Sequence, residues 1–272
     1  MTEGEGAVLQ AAEAERVNQR FAGVGAALGL LIWANLFGIP FGLGWVISRK
    51  SHPGLGQFFG FLSVLSVVPG ILWVAKSAWG DQWRKALPLA RVGPGVLVWT
   101  AFCVLAFVPV QLAWLAAVDR ALGLPDLPDP ISAVGALGVV LGAPLAEEVL
   151  FRGYGLARIR ELGGEGRALL FTALMFALLH GSWVKLPGTF AIGLFLGWLV
   201  LRTGSLWPAI LGHFINNGTV LALRRGNLGS VLDATPISWA LIGALGTAGL
   251  VSLALLGSSN VRRRISELNG AP

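Results

Sequence analysis

VGPGVLVWTAFCVLAFVPVQLAWLAAV, residues 92–118, contains no Asp, Glu, Lys or Arg. A buried strand runs about 4–8 residues and favours β-branched types. This stretch is far longer, and a membrane-spanning helix needs roughly 17–25 mostly apolar residues. Seven other charge-free windows of at least 16 residues flank it, at 21–48, 53–75, 130–146, 168–184, 186–201, 203–223 and 234–261. The whole chain of 272 residues is 55% hydrophobic and 12% charged, against about 25% charged in an average soluble domain. It has too little polar surface to cover a water-facing fold, and this composition also excludes a disordered chain, a disulfide scaffold and a collagen-like polymer. The windows predict an all-α, polytopic membrane protein of eight transmembrane helices.

The organisation that follows is an N-terminal segment at 1–20, one membrane domain at 21–261 and a short tail at 262–272. Glycine is abundant, with 38 residues, and Gly25/Gly29, Gly138/Gly142 and Gly193/Gly197 have the small-xxx-small spacing that lets membrane helices approach. Lys and Arg set the orientation. An even number of spans places both termini on one side. Counted that way, 14 basic residues fall on that side and 6 on the other, so both termini are expected in the cytoplasm of a cell (inner) membrane. The net charge of +6 sits at helix ends without aromatic interleaving. Anionic lipid headgroups explain it, and no nucleic-acid partner is expected. Glu3, Glu5, Glu13 and Glu15 argue against a secretory leader. Cys103, the sole cysteine, reads as a small packing residue.

Ionisable groups inside a membrane cost free energy and each needs a reason. Three segments carry them: Glu147-Glu148-Val-Leu-Phe-Arg152, Phe176-Ala-Leu-Leu-His180 and His213-Phe-Ile-Asn216-Asn217. Residues four apart share a helix face, so Glu148 and Arg152 can pair. Glu147 points about 100° away and lacks a local partner, which suits a general base. A turn within 161–166 would make the fourth and fifth helices a hairpin. Glu147 and His180 would then both lie about 20 Å from it. A turn at Thr203-Gly204-Ser205 would put His213 about 12 Å and Asn217 about 18 Å from the same face. Asn216 points elsewhere and reads as packing, and His52 as surface.

A carboxylate and a histidine can hold and deprotonate water, while a second histidine and an amide can donate to an oxyanion on a carbonyl. The other option is one divalent metal, zinc, on Glu147, His180 and His213 with an open water position. HExxH is absent, so that option rests on residue types alone. Two competing functions use the same groups. One is a proton-coupled transporter, which would expect two related halves. The other is a non-catalytic immunity or scaffold membrane protein.

The three motifs resemble those of the CPBP family, the CAAX prenyl protease, Abi and bacteriocin-processing proteins, whose pattern is EExxxR, FxxxH and HxxxN or HxxxD on successive membrane helices. Here they read Glu147-Glu148-xxx-Arg152, Phe176-xxx-His180 and His213-xxx-Asn217, in that order, within 130–223. The resemblance implies an intramembrane endopeptidase bundle in which Glu147 activates water assisted by His180. It further implies that His213 and Asn217 bind the metal or stabilise the oxyanion, and that Glu148 and Arg152 support the site. The implied substrates are membrane-associated: a C-terminal tail, a bacteriocin precursor or a sorting signal.

Overall fold

A computed structural model describes residues 32, 36, 38–122, 132–225 and 246. The segments 1–20 and 262–272, the window 234–261 apart from residue 246, and most of 21–37 lie outside the described residues, and with them the expected N-terminal segment, the last span and the tail. The described residues form helices and no strand. They are α1 (Ile39–Ser48), α2 (Pro53–Leu65), α3 (Val67–Trp79), α4 (Pro94–Leu122), α5 (Ala133–Gly163), α6 (Glu165–Leu179), α7 (Leu186–Thr203) and α8 (Trp207–Arg225). A 3₁₀ turn, Gly80–Ala86, follows α3.

Four helical stretches among the described residues are long and apolar enough to cross a membrane: Pro53–Ala86, Pro94–Leu115, Ala133–Gly163 and Leu186–Thr203. This is a multi-pass membrane architecture; the eight spans expected are not confirmed, since the windows 21–48 and 234–261 lie largely outside the described residues. α1 has 10 residues and α6 has 15, which is short for a span. α8 has the length, with 19 residues, but His213, Asn216 and Asn217 lower its apolarity. α6 nonetheless exposes Leu170, Leu174 and Leu178 along one outer face, and α4 exposes Val98, Phe102 and Leu105. Those stripes at helical spacing are surfaces that suit lipid better than water.

Local chemistry sets the breaks. Pro69 has no N–H for the Leu65 carbonyl, so the helical run from Pro53 is interrupted at Ser66. Gly164, at φ 84°, reverses the chain between α5 and α6. Gly204, left-handed at φ 63°, ends α7, as glycine does at many helix C-termini. The Leu206 N–H then donates to the Pro88 carbonyl (2.7 Å), and Leu89 bridges Ser205. This ties the α3–α4 link to the α7–α8 turn. At α5's start, Ser132 caps the helix by accepting from the Gly135 N–H (3.2 Å) and donates to Gln57.

α5 is the central element. α2 and α3 pack along one side of it, α6 returns antiparallel to it, and α8 crosses its middle. α6 packs on α7, and α8 packs on α4. The core between them is Ile71, Val74, Val104, Val108, Tyr154, Leu156, Leu196 and Leu206. α5 is wound more loosely than an α-helix at Gly138–Gly142 and Val149–Gly155. Single π turns of this kind recur at functional sites. The first has a covalent cause. Pro144 cannot donate to the carbonyl four residues back, and the Ala143 N–H reaches back five residues to Gly138 instead. In the second, Gly153 sits against the Ala86 carbonyl, which leaves no room for an added Cβ. Gly153→Ala should therefore cost about 1–3 kcal/mol. Gly166→Ala, at a position with open space around it, should leave stability within about 0.5 kcal/mol. Unfolding midpoints in detergent would check both, and equal midpoints would show that the close approach is not needed.

Candidate active site

Three helices converge on the middle of α5. The loosened turn carries Arg152, whose Nη1 donates to Glu148 Oε1 at 2.8 Å, and both side chains are 0% exposed. Arg152 Nη2 donates to the Gly193 carbonyl on α7 (3.2 Å), and its guanidinium lies 4.2 Å above the Phe176 ring. A buried charge needs an ionic partner and further hydrogen bonds to offset desolvation. Arg152 has the carboxylate, a carbonyl and an aromatic face. The i,i+4 pair expected from spacing is thus present, and the Gly193 carbonyl and Phe176 ring complete it from α7 and α6.

His213, from α8, joins the same carboxylate. Its Nδ1 is 2.8 Å from Glu148 Oε1 and its side chain is 3% exposed. An oxygen that accepts from Arg152 also accepts here, so a neutral His213 carries its proton on Nδ1 and keeps a bare lone pair on Nε2. Nε2 faces Glu147 Oε2 at 3.8 Å. Glu147 is 30% exposed. The Oε2 atoms of Glu147 and Glu148 are buried without a hydrogen-bond partner among the described residues. Phe176 packs edge-on against both His213 (5.4 Å) and His180 (4.8 Å), so one ring spaces the two imidazoles.

His180 differs from expectation in one respect. It lies at the C-terminal end of α6 rather than within a span, because the helix stops at Leu179 and Gly181 turns with φ 61°. It is exposed, and its Nδ1 donates to the Phe176 carbonyl at 2.8 Å, which leaves Nε2 open. Glu147 and His180 both line one cavity of about 290 Å³. Its other walls are mostly apolar or small: Gly38, Ser63, Val64, Val67, Ala146, Leu150, Phe151, Phe176 and Leu179.

Asn217 does not meet His213. Its Nδ2 donates to the Val139 carbonyl (2.9 Å), and its Oδ1 accepts from Asn216. Asn216 is not mere packing: it is buried and its Oδ1 accepts from Gln111 Nε2 on α4 at 2.7 Å. Gln111 was legible in one way, as the sole carboxamide in the 92–118 window. The metal option fares differently. Among the described residues no three His, Cys, Asp or Glu gather with the spacing to hold an ion. Glu147, His180 and His213 as arranged do not fit a three-ligand metal site.

At the basic end of the bundle Glu161 accepts from Trp79 Nε1 (3.0 Å), Lys85 (3.3 Å) and Arg158 (3.2 Å). This cluster ties the 3₁₀ turn to the end of α5 and lies apart from the cavity.

The family model for type II CAAX prenyl endopeptidase Rce1-like proteins matches residues 129–219, about a third of the chain, and that stretch spans α5 to most of α8. Comparison with curated proteins and with solved structures gives no match.

Proposed function

We propose, from the family match over the helices that carry the site, that this protein is an intramembrane endopeptidase. It would hydrolyse a peptide bond of a membrane-associated substrate with water activated by Glu147. One observation carries the reading: Glu147 Oε2 and His213 Nε2 face each other at 3.8 Å beside an apolar cavity. Two acceptors at that separation suit one water, which donates a proton to each and turns its lone pairs outward.

In this mechanism a substrate carbonyl enters the cavity and the water oxygen attacks its carbon. The water's proton passes to Glu147 and the carbonyl electrons move to the oxygen. Bulk water is excluded and donors for that oxyanion must be built in; the motif resemblance assigns one of them to Asn217. The C–N bond then breaks, and the proton held by Glu147 goes to the leaving amine. Glu148 and Arg152 hold His213 in the tautomer that leaves Nε2 free. His180 assists from the far wall of the cavity.

The wider reading is an eight-span protein of the cell membrane with both termini in the cytoplasm. In support, Lys85, Arg158, Arg160, Arg167 and Arg202 fall at the bundle end joined by the Glu161 cluster and the Pro88–Leu206 hydrogen bond. The apolar cavity suits a C-terminal tail, bacteriocin precursor or sorting signal presented at the bilayer.

The test compares membranes from cells carrying wild type or Glu147→Gln. New C-termini are quantified by mass spectrometry. The expected result is at least one cleavage in a membrane-associated protein that depends on Glu147. Identical profiles would overturn the peptidase reading.

A further inference from the structure

We infer that Ser63 is a substrate-positioning residue, whose Oγ accepts a main-chain N–H of the peptide held in the cavity beside Glu147. The inference rests on the hydrolytic reading above and extends it to α2, outside the residues that the family model matches. A Ser or Thr hydroxyl within a helix commonly bonds back to the carbonyl four residues earlier, as Ser48, Thr100, Thr172 and Thr203 do here. Ser63 instead turns off its own helix and donates to the Gly38 carbonyl, 25 residues away, at 2.9 Å. Gly38 and Ser63 both line the cavity that holds Glu147 and His180.

A peptide in that cavity brings N–H groups as well as the scissile carbonyl. Away from bulk water an unpaired N–H is costly, so an acceptor has to meet it. Three of the lining side chains carry acceptors, Glu147, His180 and Ser63, and the others are hydrocarbon or glycine. Glu147 holds the reacting water and His180 assists it. The Gly38 carbonyl already accepts from the Gly42 N–H (2.8 Å) as well as from Ser63. The Ser63 carbonyl accepts from Ser66 Oγ (2.7 Å). The Ser63 hydroxyl oxygen is the acceptor left over on this wall. A hydroxyl has one proton and two lone pairs. Its proton is committed to Gly38, so it meets the substrate as an acceptor, and donating onward strengthens it in that role. The cavity, about 290 Å³, is small for a ligand site, so an extended segment in it meets α2 and α5 together.

Kinetics would use a synthetic peptide spanning the cleavage found in the membrane comparison, and copies in which one amide flanking the scissile bond is replaced by an ester. The ester keeps the shape of the chain but has no N–H. Ser63→Ala is expected to lower kcat/KM about 5- to 50-fold on the all-amide peptide, the range for an N–H left unpaired. One ester copy should cost the wild type at least about fivefold more than it costs Ser63→Ala, because both changes break the same bond. If Ser63→Ala fails to insert, Ser63→Cys, whose sulfur is a weak acceptor, replaces it. A hydroxyl that only ties α1 to α2 through Gly38 would make the substitution equally harmful with every peptide. That pattern, or wild-type kcat/KM in the Ser63 variant, with Glu147→Gln inactive, would overturn this inference and leave the peptidase reading intact. Equal cleavage profiles for wild type and Glu147→Gln would overturn the reading itself and this inference with it.

Discussion

Glu147→Gln is expected to lower kcat about 10²- to 10⁴-fold, the range a positioned general base contributes, while KM and the unfolding midpoint stay near wild type. The amide has nearly the shape of the carboxylate. It can still line the cavity and face His213, but it cannot take the water's proton. Glu148→Gln should behave differently. Glu148 is fully buried between Arg152 and His213, so removing its charge strands the guanidinium and weakens the hydrogen bond that holds the imidazole. That variant should lose both stability and activity. The two neighbouring glutamates thus have separable signatures in one pair of measurements, kinetics and unfolding. If Glu147→Gln retained activity within tenfold, the assignment of the base would be wrong. If Glu148→Gln alone abolished turnover with stability unchanged, the roles of the two glutamates would have to be exchanged.

Arg152→Met should destabilise the protein by about 3–5 kcal/mol, the cost of leaving one member of a buried pair uncompensated. The variant abandons Glu148 at 0% exposure and also removes the contact with the Phe176 ring and the hydrogen bond to the Gly193 carbonyl. The Glu148→Gln/Arg152→Met double variant should recover most of that loss, because no stranded charge remains and a thioether fills the volume. It should stay less active than wild type, since His213 Nδ1 then faces a neutral amide, a weaker acceptor than the carboxylate, and one that can also turn its NH₂ toward the ring. Denaturant titration in micelles would measure the stabilities. A single-variant loss below about 1 kcal/mol would mean that the pair does not hold the three helices together.

The membrane architecture was legible because hydrocarbon imposes a one-dimensional rule: charge-free length. The Glu148–Arg152 pair was legible for a similar reason, since residues four apart on one helix meet whatever surrounds them. The eight-span count was less secure than the windows suggested. Helix ends depend on turn chemistry such as Gly181 and on polar residues such as Asn216, which composition within a window does not rank. Asn216, read as packing, is buried but also hydrogen-bonded across two helices. Its helical-wheel position is defined relative to His213, while its partner Gln111 lies 105 residues away. No local spacing predicts a bond across that distance.

Sequence alone determined that the chain lives in lipid and which few polar side chains must be sheltered there. It also put Glu148 beside Arg152 and gave Glu147 no partner within its own helix. All of these follow from composition or from the fixed period of one helix. Only the tertiary structure decided that His213 docks through Nδ1 on Glu148 and so turns Nε2 toward Glu147. It likewise decided that Phe176 spaces the two histidines, and that Pro144 frees a carbonyl for Asn217 to occupy. Those relations depend on how separate helices rotate and slide against one another, which the packing of many side chains sets together and no single segment encodes.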